Sequence, residues 1–310
     1  MFRLSLTRIA APWALAIALV GGLALTGPAG AAANAGSANE GVNVAVGPQY
    51  DTTHIYVSSA DIDAFVNSFV ATFGGKASPR AVFTVTPTPS KTASQYIQTP
   101  VGMVSVFAFQ TPIPYPFGNE RTGYLVTDMD KAVHAARAAG ADVVVESFDD
   151  PIGKDALIQW PGGLMMQLYW HTKAPVYAPL QSVPENRVYI SRGAVGEFIR
   201  RFLRFSHGKV TSDDRSADGG LIGLNGEKVR RIRVESTFGK MVVFVTDGKI
   251  PYPFGREITG YEVTNLTDTL SKAQAAGVKV LSPPYKADGR NSAIVEFPGG
   301  YIAEIHDLAS

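Results

Sequence analysis

From residue 54 onward the chain repeats one order of apolar patterns. "HIYVSS" (54–59) is a short β-rich run, and "ADIDAFVNSFVATFGG" (60–75) then spaces its apolar residues as a helix does and ends on glycine. The same order returns in "RVYISRGAVGEFIRRFLRFSHG" (187–208). There Phe198, Phe202 and Phe205 fall on one helical side, while Arg200, Arg201 and Arg204 form a charged side that suits solvent. Further on, "TGYLVTD" (122–128) predicts a strand, "MDKAVHAARAAG" (129–140) a helix closed by glycine, and "ADVVVES" (141–147) another strand. "DALIQW" and "LMMQLYW", joined by Pro161-Gly162-Gly163, predict a hairpin with alternating faces. Strand, helix and three strands make an α+β unit whose helix covers one sheet face.

The chain contains this unit four times. "IPYPFGNERTGYLV" (113–126) and "IPYPFGREITGYEV" (250–263) share eleven of fourteen residues. The same 137-residue offset aligns "AARAAGADVVV" (135–145) with "KAQAAGVKVLS" (272–282), and "IQWPGGLMMQLYWH" (158–171) with "VEFPGGYIAEIHD" (295–307). "TPVGMVSVFAFQT" (99–111) also resembles "STFGKMVVFVTDG" (236–248). The expected layout is two domains, 50–174 (units 50–112 and 113–174) and 185–310 (units 185–249 and 250–310), with a linker at 175–184. The prolines of each hexapeptide stiffen the connector between the two units of a pair. In each pair, two sheets' worth of strands curl into a cupped mixed sheet around a cleft.

The N-terminus reads differently. Arg3 and Arg8 flank a basic start, Ile9 to Leu25 is almost wholly apolar, and small residues follow. That is the layout of a cleaved secretory signal over residues 1–33, with a flexible segment at 34–49. Export to the periplasm or beyond is therefore expected, with no stable membrane anchor after cleavage. Removing Arg3 and Arg8 leaves 26 basic against 27 acidic side chains, a balance that speaks against a nucleic-acid partner. The chain has no cysteine, which excludes disulfides, thiolate ligands and a cysteine nucleophile. It also lacks a phosphate-loop glycine motif leading into a helix, a Gly-x-Ser-x-Gly elbow and a His-Glu-x-x-His pair.

Four βαβββ units with "PGG" before a last strand resemble the vicinal oxygen chelate superfamily, which includes glyoxalase I, bleomycin resistance proteins and extradiol dioxygenases. The resemblance rests on "HIYV…ADID" (54–63), "VTDMDKA…AAG" (126–140) and "PGGYIAEI" (298–305) and covers residues 50–307. It implies two tandem glyoxalase-like domains, and a divalent metal held in the cup by His and Glu from first and last strands. Carried over by position, the metal-facing places fall on His54, Arg121 and Gln167 in the first domain. In the second they fall on Arg187, Ile258 and Glu304. Arginine does not ligate cations. The resemblance, so altered, implies a cleft of degenerate metal character that binds a small, anionic organic molecule without a cofactor. Its ligand-binding residues would be His54, Arg121, Gln167, Arg187 and Glu304.

Two alternatives stand beside this reading. If the first unit pairs with the fourth and the second with the third, His54, Glu304 and His306 could hold Zn, Mn, Fe or Ni and support a lyase, isomerase or dioxygenase reaction. Alternatively both clefts are closed, and the protein is a structural or interaction module.

Overall fold

The computed structural model describes residues 42–309. The expected leader, 1–33, and residues 34–41 of the segment after it lie outside the described residues. Residues 42–49 of that segment, expected to be flexible, are tied to the fold: Val44 is buried in the core and Ala45 bridges Val126. No described helix is long and apolar enough to cross a membrane.

The first half runs β1 (Thr52–Tyr56), α1 (Ile62–Phe73), β2 (Lys76–Ala77), β3 (Ala81–Phe83), β4 (Thr92–Thr99) and β5 (Gly102–Phe109). It continues with β6 (Thr122–Leu125), α2 (Met129–Ala139), β7 (Asp142–Asp150), β8 (Gly153–Gln159) and β9 (Met165–His171). The second half runs β10 (Glu185–Ser191), α3 (Val195–Ser206), β11 (Lys209–Asp218), a 3-10 turn (Gly219–Ile222), β12 (Lys228–Ser236) and β13 (Gly239–Thr246). Then come β14 (Ile258–Glu262), α4 (Leu266–Ala275), β15 (Lys279–Ala287), β16 (Arg290–Phe297) and β17 (Tyr301–Leu308).

These strands form two mixed sheets, one per half. The first is ordered β2-β4-β5-β1-β6-β9-β8-β7, with β3 also on β4; the second is β11-β12-β13-β10-β14-β17-β16-β15. In each sheet the opening strands of the two units lie side by side and antiparallel, β1 on β6 and β10 on β14. Each opening strand is parallel to a closing strand, as β6 is to β9 and β14 to β17. The places carried over from the sequence thus fall on the four central strands of a sheet or at their ends.

The helices cover one face of each sheet, and the covered faces meet. α1 packs on α4 and α2 on α3. Phe198, Phe202 and Phe205 of α3 bury themselves with Trp160 of the first half, and Phe65 and Phe69 of α1 with Phe297 and Tyr301 of the second. Both expected pairings therefore exist at once. Units 1 and 2, and units 3 and 4, share a sheet through hydrogen bonds; units 1 and 4, and 2 and 3, share a core through side chains.

Each repeated hexapeptide connects the two units of a sheet. Its tyrosine points to solvent, with Tyr115 86% and Tyr252 64% exposed. Its phenylalanine turns back, Phe117 against Leu157 and Met165 and Phe254 against Tyr189 and Phe244. The connector thus places one ring in each cup.

Candidate functional site

Strand alternation decides which residues see a cup. Ile55 packs under α1, so Thr52, His54 and Tyr56 take the opposite, concave face. Across the β1–β6 pairing the backbone N–H of His54 donates to the carbonyl of Arg121 at 2.9 Å, which sets the two at matching places on neighbouring strands. Gly123 faces Gln167 in register. A Cβ at Gly123 would come within 2.5 Å of His54 Nε2, so the missing side chain is what lets the imidazole lie across β6.

His54 is 2% exposed, and its ring meets Phe107 edge-on at 5.3 Å. Its Nδ1 lies 3.7 Å from Glu120 Oε1 and makes no hydrogen bond. Glu120 is fully buried; Oε1 accepts from the Tyr56 hydroxyl while Oε2 is unpartnered. Burial, and then the Glu120 charge, raise the Tyr56 phenol well above its ordinary value. The Arg121 guanidinium sits 5.5 Å from the Tyr56 ring centre, with Nη1 donating to the carbonyls of Gly118 and Glu120. Gln167 is buried near Asp155, whose carboxyl is pushed well above the usual range by burial and by Asp150. Tyr56, Ser105, Phe107, Phe109 and Arg121 are all partly exposed, so this cup is open on one side.

The second cup is filled. Arg187, at the place of His54, is 3% exposed and puts Nη1 3.2 Å from Glu304 Oε1, with Glu304 wholly buried. His306 Nδ1 lies 2.8 Å from Glu304 Oε2. Arg290 clasps Glu185 through both terminal nitrogens, and Arg231 and Arg233 converge on Asp288. The 3-10 turn crosses the mouth: the Leu221 carbonyl accepts from Arg187 Nη2, and Gly220 abuts Tyr285 so closely that a Cβ would lie 2.3 Å from its ring. Ile258, Ile294 and Ile302 line the remaining wall.

These positions bear on two expectations. Arg187 and Glu304, expected to bind a ligand, neutralise each other under a closed mouth. The metal set His54, Glu304 and His306 does not assemble. Thr53 and Thr259 meet at 3.0 Å between the sheets, so their neighbours His54 and Gly260, with Glu304 beside Gly260, point away from each other into separate cups. Among the described residues no three His, Asp or Glu side chains converge as a metal set would. In the first cup the residues present do not fit a divalent ion either, since arginine stands where a third ligand belongs and one oxygen of Glu120 is occupied by Tyr56.

Of the sequence-derived first-cup set, His54, Arg121 and Gln167 lie on the four central strands or their ends as expected. Glu120, Tyr56 and Asp155 were missed. Glu120 and Tyr56 recur in the repeat as Glu257 and Tyr189, a signal that was present, but the side on which a residue just outside a strand falls is not periodic. Of the remaining histidines, His134 is exposed on α2, and His207 is the left-handed residue that ends α3.

No family profile and no curated protein matches the chain. Its fold, however, is shared with solved structures. A mutant of 4-hydroxymandelate synthase from Streptomyces coelicolor matches with a TM-score of 0.55 at 13% identity, over 86% of this chain and 93% of that one. A 2,3-dioxygenase from Pseudomonas sp. KL28 gives 0.54 at 11% identity, over 86% and 94%. The Mn(II)-bound glyoxalase from Novosphingobium aromaticivorans gives 0.52 at 12%, over 87% and 84%. With its paired βαβββ units in two mixed sheets, the chain shares its fold with these synthase, dioxygenase and glyoxalase structures.

Proposed function

We propose that the protein binds a small, anionic organic molecule in its first cup, with Arg121 as charge anchor and His54 and Gln167 as polar partners. One contrast carries this reading. Arg187 is neutralised by a carboxylate at 3.2 Å, whereas among the described residues no carboxylate oxygen lies within 4 Å of the Arg121 guanidinium. A partly exposed arginine resting on an aromatic ring, beside an open apolar wall, is the arrangement that recognises a carboxylate or phosphonate carrying an apolar or aromatic body. The unpartnered Nδ1 of His54 and Oε2 of Glu120 supply an acceptor pair for a hydroxyl or amine on the same ligand.

The closed-cleft reading applies to the second cup, where ion pairs and the 3-10 turn leave a structural role. Export remains part of the proposal and rests on the apolar run 9–25 with its small-residue flank. Mass determination of the secreted chain's N-terminus tests it.

The binding proposal is tested by melting the protein against a panel of aliphatic and aromatic carboxylates and phosphonates. At least one should raise the melting temperature with concentration, as a native-state ligand does. The rise should vanish in Arg121→Gln and persist in Tyr252→Phe, a control in the other half. A panel without effect, or a rise unchanged in Arg121→Gln, would overturn the assignment.

A further inference from the structure

Between the backs of the two sheets lies a cavity of about 40 Å³, distinct from either cup. Asp51, Thr53 and Thr122 line it from the first sheet, Asn186 and Thr259 from the second, with Tyr124 on its wall. Two of these side chains are anomalous. Both carboxylate oxygens of Asp51 are buried without a hydrogen-bond partner, and so are both amide atoms of Asn186, a residue only 9% exposed, whose amide comes near the Glu257 carboxyl without reaching hydrogen-bond geometry. Buried polar groups in native proteins are almost always paired, and buried charges are paired or bind an ion. Here four such atoms belong to two side chains that line one small space.

We propose that this cavity is a binding site for a hard divalent cation of the calcium class, with Asp51 and Asn186 as its oxygen ligands. The donors are a carboxylate, an amide and hydroxyls, the set that oxygen-seeking cations take. Thr122 gives its hydroxyl proton to Glu257 at 2.8 Å, which leaves its oxygen lone pairs available on the cavity side. Thr53 and Thr259 share one proton between their hydroxyls at 3.0 Å, with the same consequence for one of them.

Water by itself fills the volume, since about 10–15 Å³ suffices for one molecule. It leaves the Asp51 charge uncompensated, however. Neither carboxylate oxygen finds a donor, since the Leu125 backbone amide, which comes near, does not reach hydrogen-bond geometry. Lys240 borders the cavity, but no ammonium nitrogen of it lies within 4 Å of Asp51 among the described residues. A cation resolves both anomalies at once. Calcium is preferred over magnesium because the donors come from strands of two separate sheets, an irregular set that suits flexible coordination better than a strict octahedron. Bound there, it would link the two sheets.

The test uses the full chain after dialysis against a chelator. Its melting temperature should rise with calcium over about 0.1–10 mM, which spans and exceeds the roughly 0.1–1 mM range of weak extracellular sites, and rise less with magnesium at equal concentration. Asp51→Asn, which keeps shape and removes charge, should lose the calcium response. Terbium, a luminescent substitute for calcium, should emit on tyrosine excitation, be displaced by calcium, and lose most of its emission in Tyr124→Phe while the calcium response of that variant persists. If Asp51→Asn does not fold, the terbium arm decides. A wild-type protein indifferent to calcium, an unchanged rise in Asp51→Asn, or no calcium-displaceable terbium signal would each overturn the site and identify the cavity as a water pocket.

Discussion

Single residues in this protein act through which partner they face. Burial alone would raise Glu304, but Arg187 and His306 bring its carboxyl down to about 2, against an ordinary 4.5. A depressed acid stabilises the fold above its unfolded value and loses that contribution as pH falls toward the folded one. The pair should therefore contribute on the order of 3 kcal/mol at neutral pH, lost between about pH 4.5 and 2. Removing one partner leaves the other charge buried. Arg187→Met should cost about 3–5 kcal/mol in urea unfolding, whereas an apolar replacement of both partners should cost much less. Glu257 behaves in the opposite sense. Burial raises it to about 7 in spite of the hydrogen bond from Thr122. The folded state then binds more protons than the unfolded state, so stability falls as pH rises from about 4.5 to 7. Glu257→Gln should flatten that stretch of the stability–pH curve; an unchanged slope would place the titration elsewhere.

Strands set the next level, because two glycines decide what each cup can hold. Gly123 makes room for His54 and Gly260 for Glu304, whose Oε2 would lie 2.7 Å from an added Cβ. An alanine at either place displaces a buried polar group rather than a flexible surface chain. Gly260→Ala should therefore lower stability by about 1–3 kcal/mol, the range of an overpacked core. Gly123→Ala, in the more open cup, should mainly abolish the ligand response while leaving much of the melting temperature intact. Both are read from one pair of melting curves. These glycines lie inside the repeated "TGY", so their existence was legible, and so was the unit order around them. Their purpose was not, since nothing in a strand's alternation tells which side chain crosses over its neighbour.

At the scale of the molecule, the two halves are one cooperative body. The apolar side of α3 lies against Trp160 and α2, and that of α1 against α4, Phe297 and Tyr301. Neither half keeps a covered helical face by itself. Calorimetry should show a single transition for residues 42–309, and a fragment ending near 174 should aggregate as its exposed core seeks a partner. Two resolved transitions would sink this view. Phe202→Ala, which removes a ring that touches Trp160 across the halves, should cost about 3–5 kcal/mol and lower that one transition without splitting it.

The amino-acid sequence by itself determined the units: their fourfold recurrence and their order follow from periodicity and a fixed offset, and the family resemblance those units carry implied the inward places of His54, Arg121, Gln167, Arg187 and Glu304. Recurrence and order are local properties, set by neighbours along the chain. Which cup stays open, which arginine is neutralised and why His54 never meets Glu304 were decided only by tertiary structure. Each depends on residues far apart in sequence, such as Leu221 over Arg187 and Thr53 against Thr259. Charge pairing and the packing of two sheets back to back act through space, and a linear pattern carries no record of that distance.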